Sequence, residues 1–200
     1  MGSSQFAILS FVFSAFAYIP YVRGVFKSKT RPTISTWISW CLMDGVVLAG
    51  MVAQHQIAWQ MIAYVLGCLA VISASLYCNA TLGWKNLDTY CVGIVAVAVC
   101  SWAITGDPDL AIVFSLVAAI VGSVPMMVNS WKDPANEMLM PWLFIMAGGI
   151  CGVLAITEYT IAGAATQWVF LAVQVIFVAL ITRKFSPSRS KLMSQVLMRD

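Results

Sequence analysis

Asp44 is the one charged residue inside a long apolar segment of this sequence, and its neighbours along a helix are aromatic. Trp37 and Trp40 precede it by seven and four residues, and Met51 and His55 follow it by seven and eleven. On an α-helix this spacing places the five side chains on one stripe. Indole rings beside a carboxylate can bind a flat or cationic ligand by stacking or cation–π attraction. A carboxylate at that depth costs about 2.5–3.5 kcal/mol on insertion scales and usually marks an ion, proton or substrate path.

No Lys or Arg lies at comparable depth, so Asp44 has no cationic partner of its own in the sequence. It is either protonated at rest or neutralised by a transient cation, or it is hydrogen-bonded between helices with no transport role. Trp37, near the end of its segment, is interpreted as part of an interfacial aromatic belt, and Trp40 is left open between belt and site. His55 could relay protons to Asp44, because imidazole titrates near neutral pH, or could simply be solvated in a short loop.

Asp44 belongs to the second of seven apolar segments, each close to the ~20 residues that cross a bilayer as a helix. The segments are Gln5–Val22, Ile34–Val52, Ile57–Cys78, Thr89–Ile104, Leu110–Val128, Met138–Thr157 and Thr160–Ile181. Hydrophobic residues make up 61% of the 200 residues and charged residues 10%, which excludes a soluble globular domain. The sequence therefore predicts an all-α integral membrane protein with seven transmembrane helices.

Basic residues fall on one side of this arrangement. With the N-terminus outside, the first, third and fifth connections and the C-terminal tail hold all 11 Lys and Arg residues: Arg23, Lys27, Lys29, Arg31, Lys85, Lys132, Arg183, Lys184, Arg189, Lys191 and Arg199. The outer connections hold Asp107, Asp109, Glu158 and His55. Because positive charge stays inside during insertion, this predicts an N-outside, C-inside topology. The net charge of +3 indicates contact with an anionic lipid bilayer, not with nucleic acid.

The chain also contains an internal repeat with an offset of 105 residues. The shift superposes Pro20 on Pro125, Phe26 on Trp131, Lys27 on Lys132 and Trp37 on Trp142. Each copy has a proline that ends an apolar span, an aromatic–Lys pair, and a Trp that opens the next span. Spans one to three and five to seven are therefore predicted to be equivalent triplets in a 3+1+3 arrangement. Since four spans separate equivalent helices, both triplets insert in the same orientation as parallel repeats.

The predicted boundaries follow from this repeat. Residues 1–82 form a first three-helix bundle, 83–106 a linker helix, 107–182 a second three-helix bundle, and 183–200 a basic cytoplasmic tail.

Two triplets joined by an inverting fourth helix, with a proline late in the first helix of each, resemble the PQ-loop superfamily. That group includes the SWEET sugar carriers, vitamin-precursor permeases and lysosomal amino-acid exporters. The resemblance covers nearly the whole chain, although Pro20 and Pro125 are not followed by the glutamine of the family's Pro-Gln pair. Pro20, Pro125 and Pro141 match hinge prolines of the SWEET carriers, whereas Pro32 lies before its helix. The combination is most similar to the uncharacterised bacterial and archaeal branch.

The resemblance also implies a binding pocket near the midplane, to which the third helix of each triplet contributes polar residues. Carried over by depth, this points to Tyr64, Cys68 and Gln174 as substrate-binding residues beside Asp44 and Trp40. For each, an interhelical hydrogen bond is an equally good explanation. The prolines would be hinges of a rocking bundle, or would merely stop their spans.

Together these features predict a membrane transporter that moves a small polar solute by alternating access between two triple-helix bundles, proton-coupled through Asp44. The alternative is a seven-helix ligand-binding receptor or sorting protein without net transport, which the resembled superfamily also contains. No nucleophile–base set, paired carboxylates at depth or phosphate-binding loop suggests an enzyme. The six cysteines show no CxxC spacing, so no metal or other cofactor is expected. The short loops are typical of a protein of a prokaryotic inner membrane. The sequence leaves open whether the protein forms a homo-oligomer.

Overall fold

The computed structural model describes residues 2–30, 32, 34–79 and 86–183, and these residues are organised into helices. The α-helices are α1 (Ser3–Phe26), α2 (Ile34–Ala53), α3 (Trp59–Tyr77), α4 (Asn86–Thr105), α5 (Pro108–Lys132), α6 (Leu139–Leu154) and α7 (Thr166–Thr182). A 3₁₀ turn at Pro134–Asn136 precedes α6, and a π-helical turn at Ile161–Ala165 leads into α7. Each predicted span thus contains one helix.

Most of these helices match the dimensions of a bilayer. Five of those described, namely α1, α2, α3, α5 and α7 with its π-helical turn, are long and apolar enough to cross a membrane. Helix α6 and the apolar part of α4, Val92–Thr105, are shorter. Large apolar side chains such as Ile8, Phe16, Leu66 and Val117 are exposed. A surface of this kind suits lipid and not water, so the fold is that of a helical integral membrane protein.

Two predicted helix ends are wrong. Helix α1 continues through Pro20 to Phe26, and α5 continues through Pro125 to Lys132. A proline removes its own intrahelical hydrogen bond, but the residues after it can resume the helix. Pro141 lies in the first turn of α6, where its missing N–H would have had no intrahelical partner. None of the three prolines therefore terminates a helix.

Six helices form a closed ring, and α4 lies outside it. Around the ring, α1 packs on α3, α3 on α2, α2 on α5, α5 on α7, α7 on α6, and α6 on α1 again. Helix α4 packs on α5 and α2. The ring encloses the main hydrophobic core, which takes buried side chains from all six of its helices.

Side-chain contacts identify the two ends of the bundle. At one end, here called the His55 end, Gln54 donates to Asp109 at 2.8 Å and Gln56 donates to Glu158 at 2.7 Å, joining the α2–α3 connection to the first turn of α5 and to the α6–α7 connection. The opposite, Lys27 end includes the α1–α2 and α5–α6 connections and the last turn of α7. There the Arg183 guanidinium stacks 3.4 Å from the centre of the Trp131 ring.

Described charges are divided between these ends. The Lys27 end holds Arg23, Lys27, Lys29, Lys132 and Arg183 with Asp133 and Glu137, and the His55 end holds Asp107, Asp109 and Glu158. Some predicted inner-face charges lie outside the described residues, namely Arg31, Lys85, Lys184, Arg189, Lys191 and Arg199, as does the tail from 184 to 200.

Candidate functional site

A cavity of about 60 Å³ lies at the centre of the ring, and every ring helix contributes to its lining. The five residues predicted to bind solute all line it: Trp40 and Asp44 of α2, Tyr64 and Cys68 of α3, and Gln174 of α7. The structure thus brings these side chains together from three helices. We call this space the central cavity.

Among the described residues that line the central cavity, Asp44 is the only one with an acidic or basic side chain of the Asp, Glu, Lys, Arg or His type. Its side chain is 4% exposed, and its Oδ2 lies 3.9 Å from the Cys68 Sγ. Within the described part of the chain, that thiol is its one recorded hydrogen-bond partner. A buried carboxylate is stable only when a charge or several donors compensate it. A weak thiol donor does not do so, which leaves Asp44 available to a proton or a cation.

A polar layer separates the central cavity from the His55 end. The side-chain amides of Gln60 and Gln174 both donate to the Tyr64 hydroxyl, linking α3 to α7. Gln60 and Gln174 are 2% and 3% exposed, and the Oε1 atom of each has no hydrogen-bond partner in the described residues. Buried carbonyl oxygens without donors are costly, so these two oxygens favour water or a ligand that donates hydrogen bonds.

Glycines of α6 make room for this layer. A Cβ at Gly149 would overlap the Gln174 Oε1, and one at Gly152 would overlap the Oε1 atoms of both Gln60 and Gln167. At Gly148 the backbone carbonyl accepts a 2.8 Å hydrogen bond from the Ser10 hydroxyl of α1. Small residues at helix interfaces let backbones approach closely in membranes. In α6 the same small residues also let polar side chains lie against the helix.

An aromatic cluster closes the central cavity toward the Lys27 end. Ring centroids of Trp40 lie 5.3 Å from Trp37, 6.3 Å from Trp142 and 6.0 Å from Phe177. Trp142 and Phe177 stack at 4.5 Å, and Tyr21 lies 5.1 Å from Trp37. The interpretation of Trp37 as an interfacial belt residue is wrong, because its side chain is 2% exposed and packs within this cluster.

Glu137 lies beneath this cluster, in the α5–α6 connection. Its Oε2 accepts hydrogen bonds from the Tyr21 hydroxyl and from the Trp142 Nε1, each at 3.4 Å. Tyr21 belongs to α1, so the carboxylate connects the first half of the chain to the second at the Lys27 end.

A larger cavity of about 280 Å³ lies at the His55 end, and we call it the end cavity. Gln60, Gln167 and Gly152 form part of its lining, and His55 and Glu158 lie in the connections that border it. Gln60 therefore lies between the two cavities. His55 is exposed and adopts a left-handed backbone conformation with φ of 57°. His55 follows Asp44 by eleven residues, which corresponds to about 16 Å along an α-helix. Proton transfer between the two side chains therefore needs intervening water.

Several residues of this region were not singled out from the sequence. Tyr18 and Phe170 line the central cavity, yet in an apolar helix they look like any core residue. Glu137 stands in a short charged connection, where a carboxylate is usually solvated. For Trp142 the sequence did give an indication, because the 105-residue shift pairs it with Trp37.

Nothing in the described residues resembles a metal centre, since no three His, Cys, Asp or Glu side chains cluster as ligands would. Comparisons of the chain with protein-family models, with curated proteins and with solved structures found no match.

Proposed function

We propose that this protein is a membrane transporter that moves a small polar solute by alternating access between two three-helix bundles, α1–α3 and α5–α7. The observation that carries the proposal is the central cavity itself. It lies between the two bundles and contains an uncompensated carboxylate. Its two ends are closed by different groups, a polar layer and an aromatic cluster.

Helix boundaries support the two-bundle repeat. A shift of 105 residues moves α1 onto 108–131, and α5 is Pro108–Lys132. The same shift moves the start of α2 to 139, where α6 begins, and moves α3 onto 164–182, against Thr166–Thr182 for α7. The offset came from four residue matches in the sequence, so agreement of all three helices is an independent argument for duplication.

Helix packing follows the same pairing. Exchanging α1, α2 and α3 for α5, α6 and α7 converts the α1–α6 contact into α5–α2, and α1–α3 into α5–α7. It also converts α2–α3 into α6–α7. All six contacts of the ring are thus accounted for by a pseudo-two-fold axis through the central cavity. Helix α4, outside the ring, has the role of reversing the chain direction between bundles.

The cavity lining repeats as well. Five pairs of lining residues are separated by 105 positions: Tyr18 and Ser123, Trp37 and Trp142, Trp40 and Ile145, Tyr64 and Val169, and Cys68 and Val173. The two bundles therefore present equivalent backbone positions to one cavity, with different side chains. Asp44 pairs with Gly149 at the same offset, so the carboxylate is present on one side only.

The two barriers explain how access could alternate. At the Lys27 end, separating the bundles would break the Tyr21–Glu137 contact and unstack Trp40 from Trp142 and Phe177. At the His55 end it would break the bond between Tyr64 and Gln174. Packed interfaces of this type switch between discrete arrangements, as rocking transporters require. In the arrangement described here, the aromatic barrier is fully packed and the larger cavity is at the His55 end.

The distribution of charge favours the Lys27 end as the cytoplasmic one. Described Lys and Arg side chains gather there, and among the described residues the carboxylates of the His55 end have no Lys or Arg beside them. Under the positive-inside rule, the N-terminus and the end cavity then face outward.

A flux assay in proteoliposomes tests the proposal. Vesicles with an internal pH-sensitive dye would be exposed to sugars, amino acids, vitamin precursors and organic cations, with uptake followed by labelled solute and proton movement by the dye. We expect wild-type vesicles to accumulate one class of solute together with a pH change, and Asp44→Asn to lose the pH change. Asp133→Asn is the matched control, because Asn also caps a helix and Asp133 is exposed at the start of the 3₁₀ turn after α5.

A receptor without transport predicts a different outcome. A solute at about 100 times its dissociation constant would stabilise the protein by roughly 2.7 kcal/mol in a thermal-shift assay, yet would not enter vesicles. Folded protein that binds a solute but moves none contradicts the transport proposal.

A further inference from the structure

We infer that the central cavity binds a small organic cation, a protonated or quaternary amine, which replaces a proton on Asp44. The inference rests on the proposed transport function for its role, but the binding claim can be tested without flux. It names the chemical class of solute, which the sequence left open.

The charges around Asp44 indicate that the ligand is a cation. The titratable side chains that face it are Tyr18 of α1, Cys41 of its own helix, and Tyr64 and Cys68 of α3. All four are neutral or negative in their possible states, so none can compensate a carboxylate. The remaining lining from α5, α6 and α7 is apolar or uncharged. The site therefore needs one positive charge from outside, either a proton or a cationic ligand.

Aromatic rings form walls suited to such a cation. Trp40 stands nearly perpendicular to both Trp37 and Trp142, with interplanar angles of 75° and 80°. Tyr64 and Phe170 form a further wall, with ring planes 45° apart. Aromatic rings that line one space can offer electron-rich faces to a cation there, and such faces attract ammonium groups. A carboxylate among indoles adds the matching charge.

The size of the cavity limits the cation. A water needs at least roughly 10–15 Å³ and takes up about 30 Å³ in the liquid, so a cavity of about 60 Å³ holds about two to five groups of that size. Methylammonium, with two non-hydrogen atoms, fits this range, and tetramethylammonium, with five, is at its upper limit, whereas tetrapropylammonium and disaccharides exceed it.

The approach from the His55 end also favours cations. The described charges there are Asp107, Asp109 and Glu158, with no described Lys or Arg. Between the two cavities, the partnerless Oε1 atoms of Gln60 and Gln174 are acceptors without donors. Fields of this sign concentrate cations and repel anions at the cavity mouth.

Binding is tested on the full chain in lipid nanodiscs by titration calorimetry. The probes are methylammonium and tetramethylammonium, with tert-butanol as a neutral molecule of the same number of non-hydrogen atoms as tetramethylammonium. We expect the cations to bind at least tenfold more tightly than tert-butanol, and tetrapropylammonium not to bind. Because proton and cation compete for one carboxylate, affinity for tetramethylammonium should fall as pH is lowered, by up to about tenfold per pH unit.

Two variants locate the site. Asp44→Asn should weaken cation binding at least tenfold and remove its pH dependence, while Asp133→Asn, at an exposed position of the Lys27 end, should leave both unchanged. Folding of each variant is checked by circular dichroism and gel filtration. Should Asp44→Asn fail to fold, the comparison of tetramethylammonium with tert-butanol and its pH dependence in the wild type still decide the matter.

The outcomes separate this inference from the transport proposal. Cations that bind at Asp44 but do not cross proteoliposomes uphold the inference and contradict transport. A neutral solute that is transported while the cations do not bind overturns the inference and leaves transport standing. Equal affinity for tert-butanol and tetramethylammonium, or cation binding unchanged in Asp44→Asn, also overturns it.

Discussion

The Tyr21 hydroxyl lies 3.4 Å from the Glu137 Oε2, and this contact joins α1 to the α5–α6 connection at the Lys27 end. Trp142 donates to the same carboxylate oxygen from the second bundle. Glu137 is thus fixed within its own half of the chain by Trp142 and reaches across to the other half through Tyr21. In the proposed transport cycle, opening the central cavity toward this end would break the Tyr21 contact, whereas the Trp142 contact could persist.

Removing the Tyr21 hydroxyl should therefore favour the conformation that is open at the Lys27 end. We expect Tyr21→Phe to increase the rate at which Cys68, a buried residue of the central cavity, reacts with a membrane-impermeant thiol reagent applied at that end. A long hydrogen bond to a carboxylate contributes about 1 kcal/mol, so the rate should rise about fivefold. The measurement uses a variant in which Cys68 is the sole cysteine.

The matched control is Tyr159→Phe, which removes a hydroxyl from an exposed tyrosine near the His55 end. It should leave the rate unchanged. A rate for Tyr21→Phe equal to that of the wild type would mean that the Tyr21–Glu137 contact does not hold this end closed.

Much of the architecture could be predicted because it depends on patterns local to the chain. Apolar segments of about twenty residues identified the seven helices, and Asp44 was conspicuous because a charge in such a segment is costly. Tyr64 and Gln174 were implied by the resemblance to the PQ-loop superfamily, in which the third helices contribute polar pocket residues, together with their depth in the membrane.

Other features depend on packing that a sequence does not record. Trp37 near a span end looks the same whether it faces lipid headgroups or a neighbouring helix, and only the ring contacts with Tyr21 and Trp40 distinguish the two. From the sequence, Pro20 could be a hinge or the end of its span, and in the structure α1 continues for six residues beyond it. Nothing in the sequence distinguishes Glu137 from other charged residues of a short connection, and its role becomes visible only in the contact with Tyr21 of α1.

The glycine at 148 should tolerate no side chain. Gly148→Ala places a Cβ 3.0 Å from the Ser10 carbonyl oxygen and 3.1 Å from the Ser14 backbone nitrogen, and overlaps the Ser14 hydroxyl, so the backbones of α1 and α6 must move apart. Overpacking of this kind typically costs about 1–3 kcal/mol, which should appear as a lower midpoint of thermal unfolding followed by circular dichroism. Gly45→Ala is the control, because nothing lies within 4 Å of its Cβ position. It should be neutral or stabilise by up to about 1 kcal/mol through helix propensity. Equal effects at both positions would contradict the packing described for α6.

The Tyr64 hydroxyl should stabilise the polar layer as an acceptor shared by two amides. Tyr64→Phe leaves the Gln60 and Gln174 donors without that oxygen, and we expect a loss of about 1–2 kcal/mol in unfolding free energy. Tyr77→Phe is the control, since Tyr77 is exposed at the end of α3. In a double-mutant cycle, Tyr64→Phe and Gln174→Leu should show a coupling of about 0.6–1.7 kcal/mol, the range found for hydrogen bonds in membranes. Additive effects would show that the contact between α3 and α7 contributes nothing to stability.

The assignment of the Lys27 end to the cytoplasm can be tested by labelling one cysteine at each end of the bundle. Cys78 follows α3 at that end and is exposed, and His55 is exposed at the other. We expect an impermeant maleimide to label a variant that retains Cys78 alone only after the cells are permeabilised, because five described basic residues place that end inside. A cysteine-free background carrying His55→Cys should instead be labelled on intact cells. The reverse pattern would invert the topology, and the end cavity would then open to the cytoplasm and not to the exterior.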